Sequence, residues 1–177
     1  MVQKVMKGKV FVLLARGFEE VDVSAVTRIL RGSGLSVALV GLTAGPVRGA
    51  YGLSLMPDCA LSEAGTELPQ AAILPGGVQA TRRFGAEPRV HTLLRQVASQ
   101  RGYVMAIETA QAVLRSAGVL GGREVGSGNG PGRAGSGLGG MEGLLSERVR
   151  VEGRVILSQG SGSAQEAALR LASMLES

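Results

Sequence analysis

Glu108 occupies a position at which chains of this pattern usually present a nucleophile. Residues 102–107 (Gly-Tyr-Val-Met-Ala-Ile) read as a short apolar strand, and Thr109-Ala-Gln-Ala-Val-Leu114 reads as the start of a helix, with no linker between them. A strand that turns directly into a helix pushes the residue at the elbow into solvent at the carboxyl end of a parallel sheet, and the helix's first N–H groups surround it. Serine or cysteine at such an elbow attacks carbonyl carbon. A carboxylate is a much poorer nucleophile toward carbonyls, and its chemistry is general acid–base catalysis or the acceptance of hydrogen bonds.

The remaining reactive residues do not restore a nucleophile. Cys59 is the only cysteine, so an intramolecular disulfide and a metal site of the Cys-cluster kind are both excluded. It follows Pro57-Asp58 at a strand end and reads as a small, half-buried apolar residue. His91, the one histidine, falls inside a helical pattern over 88–100 and reads as a helix-surface side chain. Neither Thr109 nor Ser127 has a basic residue that the sequence places beside it. Acyl-transfer or amidotransferase-type hydrolysis needs a cysteine or serine with a histidine in reach, and the sequence offers neither.

The elements that must position Glu108 follow from hydrophobic periodicity. Residues 9–15, 35–41, 71–75 and 102–107 are short, nearly continuous apolar runs, as in strands buried on both faces of a parallel sheet. Between them, 19–31 places Val23, Val26, Ile29 and Leu30 at helical spacing and stops at Gly32 and Gly34. Residues 88–100 do the same with Val90, Leu93, Leu94 and Val97. Ser163 and Glu166 have capping-box spacing for a last helix, with Leu169, Ala172 and Leu175 on one face. Residues 46–55 read as a hairpin around 49–52, and 148–157 as a hairpin turning at Glu152-Gly153. Alternating strands and helices of these lengths predict a doubly wound α/β sheet with helices on both faces.

Between 118 and 143 glycine is nearly every second residue, most densely over 126–140, a composition that predicts a mobile loop. It is no phosphate cradle: Gly-x-x-x-x-Gly-Lys-Ser/Thr is absent, and the Gly-x-Gly matches do not join a strand to a helix. No cofactor is assigned. At 177 residues and 45% hydrophobic content, the chain reads as a single domain over 1–177. The longest charge-free run, 32–47, is interrupted by Gly34, Gly41, Gly45 and Pro46 and does not read as a membrane span. The basic start lacks a cleavage site behind its apolar run, so a cytoplasmic location is expected. The net charge of +5 raises the question of nucleic acid, but the arginines are scattered in sequence. Three phenylalanines, two tyrosines and no tryptophan give no set for stacking bases. The expectation is a solvated, arginine-rich surface.

Four segments in order carry a family resemblance: 15–22 (Ala-Arg-Gly-Phe-Glu-Glu-Val-Asp), 74–77 (Leu-Pro-Gly-Gly), 106–110 (Ala-Ile-Glu-Thr-Ala) and 158–169 (Ser-Gln-Gly-Ser-Gly-Ser-Ala-Gln-Glu-Ala-Ala-Leu). Together they resemble the signature regions of the ThiJ/PfpI superfamily, with the match running from about Lys9 to Leu175. The resemblance implies a flavodoxin-like three-layer α/β/α sandwich of the class I glutamine amidotransferase-like kind, usually a homodimer. Its members serve as glyoxalases, deglycases, chaperone-like stress proteins or proteases. It implies further that the family's elbow cysteine falls on Glu108, that its partner acid falls on Asp22, and that its oxyanion-type amides fall on Gly77 and Thr109. The family's histidine would fall in 125–128, where this sequence has Val-Gly-Ser-Gly.

Two readings result. In one, the protein is a pseudoenzyme of the stress-response kind that acts by binding or chaperone-like contacts. Glu108 fills the cysteine's place, hydrogen-bonds to Asp22 and Gly77, and resembles an oxidised cysteine, since a sulfinate is also an anion that accepts amide hydrogen bonds. In the other, Asp22 and Glu108 share a proton across a pocket and work as an acid–base pair in hydrolysis, hydration or isomerisation of a small carbonyl ligand. A homodimer is expected in both, formed on the apolar stripe of the first helix, with no nucleic acid and no membrane as partner.

Overall fold

The computed structural model describes residues 9–64, 67–120 and 148–176. The glycine-rich run 126–140, Ser127 and the 125–128 stretch lie outside the described residues. Strand β1 (Lys9–Leu14) is followed by helix α1 (Glu20–Gly32) and strand β2 (Ser36–Gly41). A separate antiparallel pair, β3 (Val47–Arg48) and β4 (Ser54–Leu55), and the short β5 (Cys59–Ala60) precede β6 (Ala71–Leu74). Helices α2 (Val78–Ala86) and α3 (Pro88–Ser99) lead to β7 (Tyr103–Ile107) and α4 (Gln111–Ser116). Strands β8 (Val149–Glu152) and β9 (Val155–Ser158) and helix α5 (Ser161–Glu176) complete the described elements.

The main sheet has the order β5-β2-β1-β6-β7-β9-β8 and is parallel except for the β8–β9 hairpin. Helices α1 and α5 pack together on one face, while α2, α3 and α4 pack on the other. The expected doubly wound sandwich is therefore the architecture found. Its central strands are buried from end to end: Val10 to Leu14, Ala71 to Leu74 and Val104 to Ile107 are all almost inaccessible to solvent. Such strands have no polar face, which is why their sequences run apolar without alternation.

Several sequence expectations are corrected. Val23, Val26 and Leu30 of α1 are buried within the chain's own core, so that stripe is not left over for a second subunit. Helix α5 begins at Ser161, so Ser163 lies inside its first turn, and no capping box forms. The Ser163 hydroxyl instead meets that of Ser158 at 2.7 Å, and Glu166 pairs with Arg170 at 2.9 Å. The buried face of α5 consists of Ser163, Ala164, Ala167, Ala168, Leu171 and Ala172, while Leu169 faces outward. Small residues there let α1 approach closely. The β8–β9 turn falls on Gly153 and Arg154, one residue beyond the expected place. Cys59 is partly buried in edge strand β5 and packs against the core, as expected for a small apolar residue. His91 is only partly exposed, and its Nε2 is buried without a hydrogen-bond partner. Among the described residues no helix is long and apolar enough to cross a membrane.

Candidate functional site

The site is assembled at the carboxyl ends of β1, β6, β7 and β9, where loops leave a parallel sheet and helices begin. After β7 the chain turns at Glu108, which adopts a φ of 50°, one of two positive values at non-glycine residues described in this chain. It opens a single 3-10 turn (Glu108–Ala110) that runs into α4. A left-handed backbone at a residue with a Cβ is strained, and such strain collects at functional elbows. Ala110, Val113 and Leu114 hold the turn by burial, and the Gln111 side-chain amide donates to the Ser158 carbonyl at 2.9 Å. The geometry expected of a nucleophile elbow is present, with Glu108 exposed on it.

Asp22 lies in the first turn of α1 and is fully buried. The Gly76 amide donates to its Oδ2 at 2.9 Å, while no hydrogen bond of ordinary geometry reaches Oδ1. Burial pushes its pKa up from the ordinary 3.8, and the Ser161 hydroxyl and the Gly76 amide pull it down by less. Glu19 is raised too, from 4.5. Burial is again the largest cause, followed by the charges of Asp22, Glu108 and Glu20. The electrostatic partner of Glu108 is thus Glu19, a residue that sequence reasoning passed over although it heads the Glu-Glu-x-Asp motif.

The expected face-to-face pair does not form. No hydrogen bond joins Asp22 to Glu108 or Glu108 to Gly77. Asp22 is committed to Gly76 beneath the surface, whereas the Glu108 carboxylate lies over Gly160, where a Cβ would be 3.9 Å from its Oε2. Asp22, Glu19 and Glu108 form a graded acidic cluster, from buried to exposed. No ion pair with Lys or Arg neutralises any of the three among the described residues.

The two glycines of the Pro-Gly-Gly turn are required by close approach. A Cβ on Gly76 would stand 2.9 Å from Asp22 Oδ2, and one on Gly77, whose φ is 109°, would collide with the Gly17 carbonyl. Gly77 is the N-cap of α2, and a helix's first amides lack partners in the helix, so its amide belongs to that terminus. Thr109 follows Glu108, and its hydroxyl is within 2.8 Å of the Thr81 hydroxyl on α2. That contact turns Thr109 toward the scaffold, not toward a substrate.

Glu20 has a role that the sequence did not reveal. Its Oε1 accepts from the amides of Tyr51 at 2.8 Å and Leu53 at 3.2 Å, which fixes the β3–β4 hairpin to the start of α1. Gly49 leaves the space for it, since a Cβ there would collide with the Glu20 carboxyl. The only available signal was the adjacency of two glutamates before a helix.

The profile of the DJ-1/PfpI family matches residues 8–174. Protein dj-1beta of Drosophila melanogaster is 30% identical over 171 residues, covering 96% of this chain and 90% of that protein. A glutathione-independent glyoxalase of Caenorhabditis elegans is 28% identical over 170 residues, covering 96% and 89%. The crystal structure of Drosophila melanogaster DJ-1beta superposes with a TM-score of 0.79 at 28% identity, covering 96% of this chain and 91% of that one.

Proposed function

We propose that this chain, which belongs to the DJ-1/PfpI family, works without thiol chemistry, as a single-domain binding or chaperone-like protein of the stress-response kind in the cytoplasm. The observation that carries the reading is Glu108 itself, exposed on a strained elbow at φ 50° where the family resemblance places a cysteine. The one cysteine, Cys59, lies on edge strand β5 at the other side of the sheet, and the one histidine, His91, lies in α3. Glyoxalase action is named for one relative, and by the family route it requires a nucleophile that this elbow does not present.

Glu108, with Asp22 and Glu19 beneath it and the amides of Gly77 and Thr109 at the helix starts, would then serve as a fixed anionic counterpart of an oxidised cysteine. Self-association fits the exposed apolar residues Val21, Tyr51 and Leu53, which Glu20 gathers at one place. That surface, rather than the buried stripe of α1, would form the homodimer.

The acid–base reading keeps one support. Burial raises the pKa of Asp22, and a buried carboxyl with a raised pKa is a recurring feature of acid–base sites. Turnover of methylglyoxal by purified protein separates the two. No conversion above background is expected, and Glu108→Cys is expected to add only weak activity, since no histidine is brought to the elbow among the described residues. Conversion that persists after thiol blocking and disappears in Glu108→Gln would overturn the binding reading and establish acid–base catalysis.

A further inference from the structure

Arginines that are scattered in sequence converge in space. Arg16 leaves the end of β1, Arg48 ends β3, and Arg83 sits in the last turn of α2, and all three line one cleft of about 730 Å³. Each is exposed and none has a carboxylate partner among the described residues. The ion pairs that are described engage Arg31, Arg89, Arg150 and Arg170 instead. Glu87 is the one acid among the described residues of the cleft wall, and it is already committed. It accepts from the Arg89 guanidinium at 2.8 and 2.9 Å and from the Arg89 amide at 3.1 Å as the N-cap of α3. The cleft therefore keeps an uncompensated positive charge, and convergent like charges are unfavourable until an anion joins them.

We propose that this cleft binds a small organic phosphomonoester. Guanidinium groups match phosphate oxygens in bidentate geometry, and three of them suit a dianion better than a single carboxylate. The volume falls within the range of roughly 300–1,000 Å³ typical of small-molecule sites, far more than one free anion fills. Leu42, Pro46 and Val47 supply an apolar wall for the organic body. The positions are set in advance: the Gly17 amide donates to the Arg48 carbonyl at 2.8 Å, and Glu20 secures the hairpin that carries Arg48. The cleft opens at the carboxyl ends of β1 and β2, the edge of a parallel sheet at which ligands collect. Neither Glu108 nor Asp22 lines it, so the assignment stands apart from the elbow's function.

Calorimetric titration of the full chain with glycerol 3-phosphate, inorganic phosphate and glycerol tests it. Glycerol 3-phosphate is expected to bind saturably with one site, more tightly than inorganic phosphate, and glycerol not at all. Arg48→Gln and Arg83→Gln should each weaken the monoester about tenfold or more, with folding checked by circular dichroism. Arg82→Gln, on the same helix but outside the cleft, should leave affinity within about twofold. Absence of saturable monoester binding would overturn the proposal, and so would equal losses in the Arg82 and Arg83 variants. Inorganic phosphate binding as tightly as the monoester would overturn the organic ligand. An oligonucleotide that binds where the monoester does not would replace it with a polyanion surface.

Discussion

Asp22 and Gly76, 54 residues apart in sequence, are joined by a hydrogen bond of 2.9 Å that carries the start of α1 onto the turn after β6. The bond supplies an acceptor for a buried amide, and the burial that protects it also makes the acceptor's charge unfavourable. Both consequences can be measured.

Asp22→Ala should destabilise the protein by about 1–3 kcal/mol, because the buried Gly76 N–H loses its acceptor. Asp22→Asn keeps a carbonyl oxygen there and removes the titration. The folded pKa of Asp22 is raised above 3.8, so the native state binds its proton more tightly than the unfolded chain does. That contribution to stability is complete below the unfolded value and fades as pH rises through the folded value. Wild type should therefore lose stability relative to Asp22→Asn on going from about pH 4 to about pH 8. Urea midpoints of the two proteins check this, and parallel profiles would show that Asp22 does not titrate differently in the fold.

Glu108→Gly should relieve the left-handed strain of the elbow and raise the thermal midpoint, by a stability gain of up to about 1 kcal/mol. Glu108→Val, β-branched at a φ of 50°, should lower it by more than that gain. A scanning-calorimetry comparison in which valine is as stable as glycine would mean that the elbow backbone relaxes freely.

Glu87 titrates in the opposite sense to Asp22. The Arg89 side chain, then its amide, hold the Glu87 carboxyl down at about 2, from an ordinary 4.5. Its contribution is present above the ordinary value and is lost as pH falls through about 2. Glu87→Ala should cost about 0.5–1 kcal/mol near neutrality through the lost cap of α3, with the exposed ion pair adding little. The difference from wild type should shrink in acid. A difference in urea midpoint that stays constant down to about pH 2 would assign the loss to helix propensity alone.

The central strands were legible because each is buried on both faces, so β1, β2, β6 and β7 announce themselves as apolar runs. Helix α2 was not, since its nine residues bury only Ala80 and Phe84 and follow a Pro-Gly-Gly turn. Strand β5 is two residues long, too short for any periodicity. Helix α5 hides its true start because Gly160-Ser161-Gly162 reads as loop, and its packing face is alanine, which hydrophobic spacing undervalues beside Leu169. At the elbow, the exposure of Glu108 followed from the strand-to-helix pattern. Which acid it meets did not, because that depends on how deeply α1 sinks its first turn. The convergence of Arg16, Arg48 and Arg83 was equally invisible, since only the fold brings a strand end, a hairpin and a helix terminus together.

The hairpin's ties to α1 have a dynamic consequence. Gly17 and Ala50 exchange backbone bonds with Arg48 and Phe18, Glu20 holds the amides of Tyr51 and Leu53, and Glu19 and Asp22 bond to the two sides of Gly76. The hairpin, the entry to α1 and the glycine turn thus form one cooperative opening unit, whose amides should exchange hydrogen with a common free energy. A ligand that immobilised Arg48 would slow exchange at Gly76, with no contact between the two.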